Sequence, residues 1–194
     1  MSKPRVVHYL NQFFGGIGSE DQADQEPRLR EGPVGPGQLL QRALGDEAEV
    51  AATVLCGDNF VNEHSDLASE QIAEYVTSLK PDLFVAGPAF NAGRYGVGCG
   101  IAATAVQQTL KAPAITGMYP DNPAVELYRK QLYIVPTAAT AIGMGAAISR
   151  MASLGLKLAR GERLGLPADE GYLARGLRFT ERMPRPAAER AVDM

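Results

Sequence analysis

Asp82-Leu83-Phe84-Val85-Ala86-Gly87-Pro88-Ala89-Phe90-Asn91-Ala92-Gly93-Arg94-Tyr95-Gly96-Val97-Gly98-Cys99-Gly100 decides the fold. Asp82–Ala86 has the short, continuous apolar run of a fully buried strand. A glycine-rich loop follows, and Gly100–Leu110 is an Ala- and Val-rich helix. A buried strand feeding a helix through a tight loop is the unit of a parallel sheet covered by helices. The rest of the chain repeats it. Arg5–Phe13, Val50–Cys56, Pro113–Thr116 and Leu132–Pro136 read as further strands. Helices are expected over Pro36–Leu44, Ser65–Lys80, Pro123–Lys130 and Ala139–Arg160, with Gly45, Pro81 and Gly161 as stop signals. The expected fold class is therefore α/β: a doubly wound, five-stranded, mainly parallel sheet with helices on both faces, in the default order 2-1-3-4-5. Residues 1–160 form this Rossmann/flavodoxin-like domain. Residues 161–194 change composition towards Gly, Pro, Arg and Glu, and read as an extended arm or linker. Tyr172, Leu173, Leu177 and Phe179 are too apolar for a free tail, so the arm is expected to pack on a partner.

Composition narrows the function. Of 194 residues, 45% are hydrophobic and 21% charged, ordinary values for a globular protein. The 19 Lys+Arg against 22 Asp+Glu are spread along the chain, which leaves no basic footprint for nucleic acid or an anionic membrane. Met1–Val7 has no signal-peptide core, and no apolar run reaches the ~18 residues of a membrane span. Two cysteines, Cys56 and Cys99, make no disulfide framework and suit a reducing, cytoplasmic setting. His8 and His64 lack ligand spacing to each other or to Cys, so no metal site is expected.

Ligands of open α/β sheets bind beyond the carboxyl ends of the strands. Here those ends are rich in Gly, Asn, Asp and Pro. In Gly87–Gly100, five glycines allow close backbone approach, and a helix N-terminus faces the loop. Arg94 adds a planar cationic fork for a carboxylate or phosphate. Cys99, placed in the first helical turn, has two readings: a thiol of depressed pKa, or a small residue packing helix on sheet. Asp58 and Asn59 can hold an amine or a ribose hydroxyl, and are equally favoured turn formers. Tyr119 and Asp121 stand on a Pro-stiffened loop, where Asp121 or Asn122 caps the next helix. Phe14-Gly15-Gly16-Ile17-Gly18 does not match a dinucleotide fingerprint. The Glu20, Asp21, Asp24 and Glu26 that follow would repel a pyrophosphate, and an acidic lid or contact loop fits them better.

Several stretches together resemble the glycine/sarcosine/betaine reductase component B selenoprotein family. They are Tyr9–Gly18, Arg30-Glu31-Gly32-Pro33-Val34-Gly35-Pro36-Gly37, Cys56-Gly57-Asp58-Asn59, Gly87–Gly100, Thr116-Gly117-Met118-Tyr119-Pro120 and Arg190-Ala191-Val192-Asp193-Met194. The resemblance implies reductive C–N (or C–S) bond cleavage on a small carboxylated amine by a selenocysteine or cysteine nucleophile. In family chains that nucleophile lies in the half beyond the region resembled here, so neither Cys56 nor Cys99 inherits its role by position. A partner polypeptide carrying the family's C-terminal half is then expected to supply it. For some substrates a pyruvoyl group on a partner is implied as well, with no cofactor on this chain. Asn91, Gly93, Arg94, Tyr95 and Gly96 are the expected carboxylate cradle, with Asp58, Asn59 and Tyr119 opposite and Cys99 as an accessory thiol. Two other readings stand beside this: a non-catalytic substrate-binding or scaffold subunit, and a stand-alone thiol enzyme using Cys99.

Overall fold

The computed structural model describes residues 3–177. In chain order the elements are β1 (Arg5–Asn11), β2 (Arg28–Glu31), α1 (Gly37–Leu44), β3 (Glu49–Cys56), α2 (Asp58–Glu63), α3 (Ser65–Leu79), β4 (Leu83–Phe90), α4 (Gly93–Leu110), β5 (Ala114–Met118), α5 (Pro123–Tyr128), β6 (Tyr133–Pro136), α6 (Met144–Ala159) and α7 (Pro167–Glu170), with short 3-10 turns at Glu20–Gln22 and Ala141–Gly143. They form a six-stranded sheet in the order β2-β3-β1-β4-β5-β6. The five expected strands are present, parallel and in the expected order. The sixth, β2, runs antiparallel to β3 at the edge. Its residues Arg28-Leu29-Arg30-Glu31 are exposed except for the half-buried Leu29, so it has no apolar run to announce it.

Alternating strand residues divide the core between the two faces. On one face Val7, Val54, Phe84, Ala86, Ala114 and Ile134 pack under α2, α3, α4 and α5. On the other Val6, Val50, Leu83, Val85, Ile115 and Val135 pack under α1 and α6. The crossover carrying α1 joins β1 to β3 on the second face, and that carrying α3 joins β3 to β4 on the first. The winding thus reverses at β1.

Three boundaries differ from expectation by four residues or more, the others by one or two. Helix α4 begins at Gly93, not Gly100, because Gly96, Gly98 and Gly100 lie inside it as packing glycines. A Cβ at Gly98 would stand 2.8 Å from Val61, and one at Gly100 2.2 Å from the Tyr128 ring. Strand β4 runs on to Phe90 through a register shift at Gly87, whose φ of +84° favours glycine. Helix α6 starts at Met144 rather than Ala139, because residues 138–142 are all exposed and offer no face to pack.

Of the described residues after α6, those at 172–175 lie against β6 of the same chain, and Glu170 pairs with Lys157 of α6 at 2.7 Å. Leu173 N–H donates to the Ile134 carbonyl (2.8 Å), the Tyr172 and Tyr133 rings meet at 5.0 Å, and the Arg175 guanidinium sits 4.7 Å from the Tyr133 ring centre. Phe179 and the Arg190–Met194 motif lie outside the described residues.

One histidine is sealed in the sheet. His8 is fully buried, its Nε2 donating to the Gly87 carbonyl at 2.6 Å while Nδ1 has no partner among the described residues. Burial lowers its pKa to about 4, against the opposing pull of that carbonyl. The unfolded chain therefore binds a proton at His8 that the folded one refuses between about pH 6.5 and 4, and stability falls as pH drops through that window. From pH 7 to 5 the loss from this residue is expected to be about 2 kcal/mol. Denaturant titrations at the two pH values should show it, and His8→Gln, which keeps a donor without the titration, should remove most of it.

Candidate functional site

The crevice opened by the reversal at β1 is walled by side chains from three segments. At the end of β1, Asn11 Nδ2 donates to Asp58 Oδ2 (2.8 Å), and its Oδ1 accepts the Phe14 N–H (3.0 Å). Gln12 Oε1 accepts the Asp58 N–H at 3.0 Å, which fixes the start of α2 against β1. Asn62, one turn further along α2, donates to the carbonyls of Asp58 (2.7 Å) and Arg94 (3.0 Å) and ties α2 to the head of α4. Asp58 and Asn59, open to a turn reading in the sequence, are thus the first residues of a short helix.

Arg94 stands at the mouth with its side chain half exposed. Nη1 donates to Asn59 Oδ1, and Nη2 pairs with the Glu20 carboxylate at 2.5 Å. The fork thus already holds a carboxylate, one brought by the acidic loop after β1. Asp58 is nearly buried, and burial raises its pKa, while the Asn11 amide and the Arg94 charge pull it back.

Beneath the mouth lies a sealed polar layer. Tyr9, Tyr95, Cys56, Cys99 and Thr116 are buried, roofed by Phe14, whose ring lies 5.7 Å from Tyr95 and 6.1 Å from Phe90. The hydroxyls of Tyr9, Tyr95 and Thr116 and the Oδ1 of Asp58 have no hydrogen-bond partner among the described residues. Cys99 falls in the second turn of α4, not the first, so the placement that would depress a thiol pKa is corrected. Burial, with the Asp58 charge, raises its pKa well above the ordinary thiol value, and the same two causes push Cys56 up to about 12.

The structure gathers Asp58, Asn59 and Arg94 at the mouth. It turns Tyr95 inward, and leaves Asn91 exposed with its N–H donating to the Ala139 carbonyl (3.2 Å). Gly93 borders Pro123. Gly96 abuts the Asn122 amide, where a Cβ would come within 2.6 Å. Half-buried Tyr119 donates its N–H to the Phe90 carbonyl at 2.9 Å. Sequence reasoning missed the polar frame of Asn11, Gln12 and Asn62, and the brace supplied by Asn122. The latter caps α5 through Ala124 N–H (3.0 Å) and donates to the carbonyls of Phe90 (2.9 Å) and Ala92 (3.2 Å). The signal for the cap was the Asn-Pro pair at 122–123, where Asn122 was read as one of two candidates. Among the described residues no three His, Cys, Asp or Glu side chains gather as a metal site, and no helix is long and apolar enough to cross a membrane.

Fold and crevice define an α/β protein that presents a guanidinium and a carboxyl side by side at the switch point of its sheet. A sequence model described as glycine/sarcosine/betaine reductase selenoprotein B matches residues 3–194, and the chain belongs to that family. It is 55% identical over its whole length to the glycine reductase complex component B subunit gamma of Carboxydothermus hydrogenoformans, covering 45% of that protein. It is 49% identical over its whole length to the sarcosine reductase complex component B subunit beta of Peptoclostridium acidaminophilum, covering 44% of it. With the betaine reductase complex component B subunit beta of the same organism the identity is 40% over 192 residues, 98% of the chain and 44% of the relative. The chain thus spans a little under half the length of these relatives. No solved structure matches it.

Two outcomes follow from the site. Both cysteines should react with iodoacetamide at pH 8 at no more than a few per cent of their rate in denaturant, because buried thiols of raised pKa supply almost no thiolate; comparable rates would reopen a nucleophilic Cys99. Asn122→Ala should cost about 2 kcal/mol in a denaturant titration, through the lost cap and two orphaned carbonyls.

Proposed function

We propose that the chain is the substrate-holding part of a glycine/sarcosine/betaine reductase component B-like enzyme acting on a small carboxylated amine. Its mouth takes the substrate carboxylate on Arg94 and Asn59, with Asp58 facing the amine end. The observation that carries this is the Glu20 carboxylate on the Arg94 fork: the geometry suits a carboxylate, and the group holding the place belongs to a solvent-exposed loop that a substrate can displace. The exposed ion pair is worth little, so a substrate gaining both fork contacts and Asn59 can replace it. The relatives' names, each a subunit of a reductase complex, support the reaction class. In this reading a partner polypeptide supplies the selenol or thiol that displaces the amine from carbon in reductive C–N cleavage, together with any pyruvoyl group. This chain binds no cofactor. It orients the substrate, and Cys56 and Cys99 serve the packing beneath the mouth.

Arg94→Ala should weaken binding of the amine substrate by about tenfold to a hundredfold, the worth of charge-assisted hydrogen bonds. Calorimetric titration with glycine, sarcosine and betaine measures it, and unchanged affinity for all three would remove Arg94 from the site. Glu20→Gln should tighten binding, by less than about fivefold, because the competing carboxylate is gone. A purely structural ion pair would instead leave affinity unaltered.

A further inference from the structure

Residues 131–149 contain no Asp, Glu, Lys or Arg, although 21% of the chain is charged and a stretch of that length would ordinarily carry several. Much of it is nevertheless on the surface. Residues 138–142 are all exposed, Ile142 at 97%, and Gly145 and Ala146 follow. This segment is held across the carboxyl edge of the sheet. Thr137 N–H donates to the Met118 carbonyl (2.9 Å) at the end of β5, and the Ala139 carbonyl accepts from Asn91 just after β4. It therefore adjoins the loop that leads into Arg94. Phe13, 64% exposed, stands in the loop after β1 at the same edge. Singly exposed apolar residues need no explanation, but a continuous rim bordering a crevice that lacks charge shares the charge depletion of an interface core.

We propose that the rim 136–146, with Ile142 at its centre, is the docking surface for a second polypeptide equivalent to the part of the relatives that this chain does not match. The inference rests on the reading given under Proposed function. More than half of each of these relatives lies outside the matched part and belongs to the same subunit, which makes that part the natural occupant of an unpartnered surface on the matched half. If it carries the nucleophile, it must reach the crevice, and the rim, with the loop 13–19 after β1, forms a charge-free surface bordering it. The helices on either side are charged: α3 presents Asp66, Glu70 and Glu74, and α6 presents Arg150 and Lys157 just beyond the rim.

The test uses the full chain, tagged and purified from its own source. The wild type and the control Leu127→Glu, altered at an exposed position on α5, should retain a polypeptide whose sequence aligns with the unmatched part of the Carboxydothermus hydrogenoformans relative. Ile142→Glu should lose it by tenfold or more while melting at the wild-type temperature. In the wild-type assembly, hydrogen exchange in peptides spanning 136–146 should be slower than in the isolated chain. The proposal fails if Ile142→Glu keeps that polypeptide, if no such polypeptide accompanies the wild type, or if the rim proves to hold a second copy, seen as a homodimer that Ile142→Glu dissociates. Substrate titration separates the two readings: Ile142→Glu should keep wild-type affinity for glycine, sarcosine or betaine, whereas loss of the Arg94 effect with docking intact sinks only the substrate assignment.

Discussion

The bond from Asn11 to Asp58 is the hinge of this architecture. Asn11 ends the strand at which the winding reverses, and its amide must satisfy both a carboxyl on α2 and the amide of Phe14. Because β3 and β4 flank β1 and the crossovers leading into them run on opposite faces, the carboxyl end of β1 is covered by what the loops bring there. The loops bring Gln12, Asp58 and Asn62 as a frame, and Arg94 and Glu20 as its opening. Burial raises the pKa of this nearly buried carboxyl, and the one amide that ties it and the guanidinium opposite pull it back.

Much of the fold was legible because buried strands and helix stop signals are local. Asp82–Ala86, Pro81 and Gly161 each declare a boundary within a few residues. What was not legible is long-range. Strand β2 is defined by its pairing to Ala52–Leu55, not by Arg28-Leu29-Arg30-Glu31 themselves. The glycines of α4 looked like a ligand cradle, but Gly98 and Gly100 exist because Val61 and Tyr128 press on them, contacts no spacing reveals. At the site Arg94, Asp58 and Asn59 could be singled out from loop chemistry. The pairing of Arg94 with Glu20, 74 positions away, and the threefold brace of Asn122 depend on the tertiary arrangement.

The two thiols show how burial assigns chemistry. Desolvation acts on Cys56 and Cys99 before any neighbour does, and the nearby Asp58 adds repulsion against a second negative charge. The layer under the mouth is therefore uncharged and tightly packed, a floor that does not compete with a bound anion.

The last segment described, 161–177, has a wider effect. By hydrogen-bonding Leu173 to Ile134 and setting Tyr172 edge-on and Arg175 over the Tyr133 ring, it covers part of the free edge of β6. The opposite edge, β2, presents Arg28, Arg30 and Glu31, charges that discourage another backbone from pairing there. A sheet blunted on both sides resists growing sideways, into a continuous intermolecular sheet or into an aggregate, and favours association through its helical faces and its loops.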